Sequence, residues 1–509
     1  MKPSHVTIGV IVALVGVALV ALGLVAIAAP PALVVVAPTA LVVIVALVAI
    51  AALGIIAPRT VALALATLAI ALGAIYHFSP TVQKRTETFA ARFTHDHEIQ
   101  FWHAMGGQLS QVIDKFADDF NSAQSDYYIK PIYKGDYTET MTTAIAAFRA
   151  QAHPHIVQVS EVGTATMMAA EDRGAIYPLH QLMSDAGIPL DLSQFLPAVV
   201  SYYTTPEGEL LSLPFNSSTP VLWYNKSKLD ELGYAPPTTW DEVWRIAGAA
   251  KAAGIQAPVS FGWQSWTQLE NYSAWHNIPF ATRQNGFAGL DAEFRFDNDA
   301  VVNHIQRIAD MGEAGLFKYG GRQGDSAAMF MNGDTILWFN SSAYYGWFKQ
   351  DIKDFEFGQT LLPVDTRVTR QAQNSIIGGA TLWVLRGHPQ EEYRGVAEFF
   401  AFLSHPDQQA YWHQETGYVP ITTAAYAKSQ ADGYYDANPG ADTAIKQLSL
   451  NQPTPASKGL RFGNFVQVRT IINEELENVW SGAKTAREAL GDAVTRGNAL
   501  LRRFEDANS

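Results

Sequence analysis

The first eighty residues contain no Asp or Glu, and Lys2 and Arg59 are their sole Lys or Arg side chains. From Glu87 onward the chain is ordinarily charged and rich in aromatics. This split confines the fold to two parts of opposite solubility, an apolar head and a water-soluble body. Apolar runs extend over Val6–Ala29, Ala32–Ala57 and Thr60–Tyr76. A bilayer core of about 30 Å takes roughly 20 helical residues, so the head reads as an anchor of up to three transmembrane helices, residues 1–80. Pro30-Pro31 and Pro58-Arg59 separate the runs, because proline cannot donate the helical N–H bond. The positions of Lys2 and Arg59 place the body outside the cytoplasm. A cleaved leader ending near Ala26-Ile27-Ala28 is the competing reading, and it gives the body the same location.

A net charge of −13 argues against nucleic acid, since phosphate backbones require clustered Lys and Arg. The chain has no cysteine, which excludes disulfides, thiolate metal sites and cysteine nucleophiles. No P-loop pattern occurs, so any ATP hydrolysis belongs to a partner. His95-Asp96-His97-Glu98 matches no standard metal spacing and reads as part of a linker, residues 81–97.

The body, 98–509, opens with alternating strands and helices. Ile99–Trp102 reads as a strand, and Leu109, Val112, Ile113, Phe116 and Phe120 form one helical stripe. Tyr128–Tyr133 reads as a second strand, Thr140–Ala150 as a helix and Ile156–Val159 as a third strand. This order predicts an α/β fold with a mostly parallel sheet. Thr239–Glu242 and Thr485–Glu488 carry capping-box signals. The second precedes a terminal helix with its apolar stripe at Leu490, Ala493, Val494, Gly497, Leu501 and Phe504. At about 410 residues the body is large enough for two lobes with a cleft.

Four clusters combine polar groups with aromatics or glycines: Gly135-Asp136-Tyr137, Phe215 to Pro220, Gly262-Trp263-Gln264-Ser265-Trp266, and Ile376 to Ala380. With Phe101-Trp102-His103, Glu161 to Met168, Thr416-Gly417-Tyr418 and Gly459-Leu460-Arg461, they make the span Ile99–Phe504 resemble one family. It is the extracellular solute-binding family of bacterial ABC importers, in its sn-glycerol-3-phosphate-binding, maltose-binding-like branch. The resemblance implies a two-lobed clamshell, roughly 98–217 with 341–395 and 218–340 with 396–509, that closes on its ligand.

It also implies that Tyr137, Glu161, Ser218, Ser341, Gly379, Tyr418 and Arg469 contact a glycerol phosphate, with Trp263 and Trp266 lining the same cleft. Ser342 is the rival of Ser341, because Leu337-Trp338-Phe339-Asn340 is bulkier than the small residues expected there. The chemistry suits these roles. An arginine fork can hold two phosphate oxygens. Hydroxyls and a backbone N–H can satisfy the others, while Glu161, expected at the far end, accepts from glycerol hydroxyls and Tyr137 can donate or accept. The indoles also suit a choline ester such as glycerophosphocholine through cation–π attraction. The resemblance implies no enzyme activity, cofactor or metal, and as partners an ABC permease pair with its separate ATPase. Two other readings are a membrane-anchored sensor with the same site and a hydrolase using Glu161 and Glu270 as acid and base.

Overall fold

The structure is a computed structural model that describes residues 95–509. The expected transmembrane head and nearly all of the expected linker lie outside the described residues. No described helix is long and apolar enough to cross a membrane. Residues 99–120 and 129–509 form one compact unit.

Among the described residues, nine strands build two sheets. The first has the order β2 (Tyr127–Tyr133), β1 (His97–His103), β3 (Ile156–Ser160), β9 (Gly378–Val384) and β4 (Leu213–Ser218). β1 and β3 are parallel, but β9 runs antiparallel to both β3 and β4. The expectation of a mostly parallel sheet is therefore corrected: the βαβ opening is parallel, and a strand arriving from far along the chain reverses the pattern. Pro131 is tolerated because β2 lies on the sheet edge, where a ladder N–H can be spared. The second sheet has the order β6 (Val259–Phe261), β7 (Leu337–Ser341), β5 (Pro220–Asn225) and β8 (Phe357–Thr360).

Each sheet is the heart of one lobe. Helices Gln390–Ser404 and Pro406–Thr416 cover the first, with Phe399 packed on Phe101 and Trp412 stacked on Phe215 at 4.8 Å. The second lies under helices Phe465–Trp480 and Ala486–Asn508, whose buried Phe465, Leu476, Leu490 and Leu501 share one core with Trp240, Phe261 and Phe339. Both expected capping boxes form, at Thr239/Glu242 and Thr485/Glu488. The expected lobe boundaries shift. β8 pairs with β5 in the second sheet, and Phe348 packs on Trp338 there, whereas residues 390–416 pack on the first. An edge strand of four residues, FGQT, carries no periodic signal that would have announced this. Trp338 and Phe339 are bulky because both faces of β7 are buried, one against Phe330 and the other against Trp240.

The lobes are joined where the chain passes from β4 through Thr219 into β5. A second passage, Ser375–Ile377, enters β9 alongside. Thr219 Oγ1 ties them, lying 2.7 Å from Ser375 Oγ and donating to Ile376 O at 3.0 Å. Gln447 braces the same region, donating to Pro220 O and accepting from Leu362 N–H.

Candidate functional site

A cavity of about 870 Å³ opens between the lobes, and all nine residues singled out in the sequence line it. Ser341 lines it, and Ser342 does not. Ser341 closes β7, where its carbonyl accepts from Trp223 Nε1 at 3.1 Å and its Oγ accepts from Ala343 N–H.

Arg469, on helix Phe465–Trp480, is the charged centre. Its Nε and Nη2 donate to the two oxygens of Glu270 at 2.8 and 2.7 Å, and Nη2 also donates to Glu161 Oε1 at 2.7 Å. Burial opposes the arginine's charge, but Glu270 and Glu161 outweigh it and hold the guanidinium firmly protonated. The remaining Nη1 has no hydrogen-bond partner among the described residues. Two expectations change here. Glu161 does not face Arg469 from the far end of the site but touches it. The arginine fork is not open either, since Glu270 occupies it edge-on. Glu270, read from sequence as one half of a catalytic pair in the hydrolase alternative, is the residue that orients Arg469. A five-residue π-helical turn, Trp266–Glu270, carries it there, and Ser265 Oγ donates to its Oε1 at 2.9 Å. Such turns recur at functional sites because they break the regular helical register.

Glu161 follows β3 directly and is almost fully buried. Burial raises its pKa, Arg469 pulls it back and Glu270 raises it further, for a net upward shift. A carboxyl raised in the folded state contributes stability below its unfolded pKa of about 4.3, and this is lost as pH rises through the folded value. Glu161→Gln is accordingly expected to melt above the parent at pH 7.5, with the advantage disappearing below about pH 4. Thermal unfolding across that range tests it, and a variant melting lower at pH 7.5 would show that pairing with Arg469 outweighs the burial penalty.

The opposite wall belongs to the first lobe. Tyr137 is the first residue of helix Tyr137–Arg149, which Asp136 and Glu139 cap reciprocally. Tyr418 follows Gly417 at the end of helix Pro406–Thr416 and stacks on Trp412, ring centroids 5.5 Å apart and planes nearly parallel. Burial pushes both phenols up, so they remain protonated. Ser218 ends β4 opposite Gly378, and Gly379 pairs with Ser217. Gly379 has φ of 102°, and a Cβ there would lie 1.9 Å from Asn216 O, so no other residue fits.

Trp266 is almost fully buried, its ring packed against Gly378, where a Cβ would come within 2.5 Å. Trp263 is half-buried and adopts the left-handed region with φ of 46°, its N–H donating to Gln323 O at 2.7 Å. A bulky residue held there stores strain that surrounding contacts must offset, a feature that clusters at binding sites. Trp263 is thus the more exposed of the two indoles that line the cavity. Tyr344 and Trp347 add aromatic surface that sequence reasoning missed; neither stands in a recognisable motif.

His155, His388 and Glu392 place ligand-type atoms within 4.8 Å of one another on the first lobe. Their hydrogen bonding does not suit a cation. Gln100 N–H donates to His155 Nδ1 at 3.1 Å, so the ring proton sits on Nε2, which donates to Glu392 at 2.7 Å. A neutral imidazole with both nitrogens so engaged has no lone pair left for a metal.

A sequence profile described as bacterial extracellular solute-binding protein matches residues 115–443. The chain belongs to that family. Among its relatives, the sn-glycerol-3-phosphate-binding periplasmic protein of Salmonella typhimurium is 49% identical over 414 residues, 81% of this chain and 94% of the relative. The protein of the same name from Yersinia pseudotuberculosis is 48% identical over 427 residues, 83% and 96% of the two chains. Solved solute-binding proteins share the fold. UgpB of Mycobacterium tuberculosis in complex with glycerophosphocholine superposes with a TM-score of 0.67 at 20% identity, covering 80% of this chain and 99% of that one. Maltose-bound MalE3 of T. maritima gives 0.64 at 19%, covering 80% and 100%. The two-lobed α/β architecture of this solute-binding protein is therefore that of the maltose-binding type.

Proposed function

We propose that this chain is the substrate-capturing subunit of an ABC importer for sn-glycerol-3-phosphate and glycerophosphodiesters, working at the outer face of the cytoplasmic membrane. The observation that carries this reading is convergence. Residues from eight separate parts of the sequence line one interlobe cavity, in a chain nearly half identical to proteins named for binding sn-glycerol-3-phosphate in the periplasm. The ligand is captured as the lobes close about Thr219 and Ser375–Ile377. The apolar head tethers the body near a permease pair, and a separate ATPase drives transport. Capture needs no bond to form or break. Glu161 and Glu270 share one arginine, which suits ligand binding better than division into acid and base.

Trp263 and the aromatic rim at Tyr344 and Trp347 support glycerophosphocholine as a second ligand, since an indole face attracts a quaternary ammonium by about 0.5–2 kcal/mol. Calorimetric titration of the full-length chain in detergent with sn-glycerol-3-phosphate, glycerophosphocholine and maltose tests both readings. The two phosphate compounds are expected to bind and to be recovered intact, and maltose is not; binding of maltose alone would overturn the assignment. Trp263→Ala is expected to weaken the choline ester at least fivefold more than glycerol phosphate. Equal losses would remove the cation–π role.

A further inference from the structure

We propose that two buried amides, Gln158 and Asn216, act as specificity-determining positioning residues: they force the Tyr137 hydroxyl to donate, and so assign the Tyr137–Tyr418 wall to the phosphoryl end of the ligand. This rests on the glycerol-phosphate reading and adds an orientation to it. The two amides are fully buried within the first lobe, one on β3 and one on β4. Their direction is set by a group that cannot reverse. The backbone N–H of Ala104 can only donate, and it lies 2.7 Å from Gln158 Oε1. Turning the Gln158 amide over would set two donors against each other at that distance. Gln158 Nε2 must then donate to Asn216 Oδ1, at 2.8 Å. That fixes the second amide as well, and Asn216 Nδ2 donates to Tyr137 Oη at 2.7 Å.

The consequence is chemical. Tyr137 oxygen already accepts, so its proton has to find an acceptor. Tyr418 lines the same wall of the cavity and offers a second phenol hydroxyl that can donate there. The Tyr418 hydroxyl donates to the Met105 sulfur at 3.9 Å. A thioether is a weak acceptor. A solute oxygen bearing lone pairs and no proton replaces it with a far stronger bond, and a phosphoryl oxygen is such an atom. A glycerol hydroxyl gains less there, whereas at Glu161 it meets a carboxylate that only accepts. The ligand therefore lies with phosphate toward the tyrosines and polyol toward the Glu161–Arg469 pair.

The test exchanges an amide for a group whose polarity depends on pH. In Asn216→Asp the ionised carboxylate can only accept, so it captures the Tyr137 proton. Once protonated, the acid can again accept from Gln158 and donate to Tyr137. Titration of the full-length chain with sn-glycerol-3-phosphate is expected to show at least tenfold weaker binding by the variant at pH 8. Most of that loss should be recovered by pH 5, expressed as a ratio to the parent at each pH. Glu161, Arg469, Tyr418 and the ligand phosphate face the same region. Because an ionised carboxylate at position 216 also repels the phosphate, the uncharged Asn216→Leu is measured alongside and is expected to bind at least tenfold more weakly at both pH values. Gln158→Glu, one link farther from the ligand, is expected to behave in the same sense and serves if Asn216→Asp fails to fold. Parent-like affinity at pH 8, or a loss in Asn216→Asp that does not change with pH, would overturn the proposal. A parent that binds no glycerol phosphate would instead overturn the functional reading, and this inference with it.

Discussion

Arg469→Ala is expected to lose at least tenfold in affinity for glycerol phosphate and, in the same variant, to lose several kcal/mol of stability. The sequence alone suggests the first effect with the fold intact. The structure adds the second, because the guanidinium is the shared partner of two buried carboxylates, Glu161 and Glu270. Removing one member of a buried ion pair leaves the other uncompensated, at a cost of about 3–5 kcal/mol. A double variant, Arg469→Met with Glu270→Gln, relieves part of that burden and is expected to melt closer to the parent while binding no better than Arg469→Ala. Denaturant unfolding combined with calorimetry separates the two effects. A single variant as stable as the parent would mean that the carboxylates find other partners or take up protons.

Gly379→Ala is the second large effect. The new methyl group would meet Asn216 O at 1.9 Å on a backbone with φ of 102°. Backbone strain of about 1–3 kcal/mol adds to an overpacking cost of about 1–3 kcal/mol. Relief requires β9 to move away from β4 at the Gly379–Ser217 pair, which also displaces Ser218 and the Asn216 carbonyl. The variant is expected to melt at least 5 °C lower and to bind at least tenfold more weakly. Parent-like melting and binding would show that β9 can shift here without disturbing the site.

These two positions show how much the sequence discloses. Gly379 and Arg469 were singled out through family resemblance, and the structure sets all nine expected residues around one cavity. The secondary-structure units with strong local signals were legible too. The helix from Gly107 follows its apolar stripe, and both capping boxes form where Thr and Glu stand three apart. What escaped were relations between distant residues. No local pattern tells that Glu270 meets Arg469, 199 positions away, or that Gln158 meets Asn216. Asn216 gave one hint. β4 reads Leu-Pro-Phe-Asn-Ser-Ser with every residue buried, and polar side chains in such a strand must be satisfied by something. The pairing of β8 with β5 and the antiparallel entry of β9 likewise depend on chain passages that periodicity does not report.

The arginine wedged between two acids has one more consequence. The threshold it presents to passing solutes carries a net negative charge despite the cation at its heart. Sulfate, which has no hydroxyl to offer Glu161, is expected to bind far more weakly than a polyol phosphate that both gives and takes hydrogen bonds.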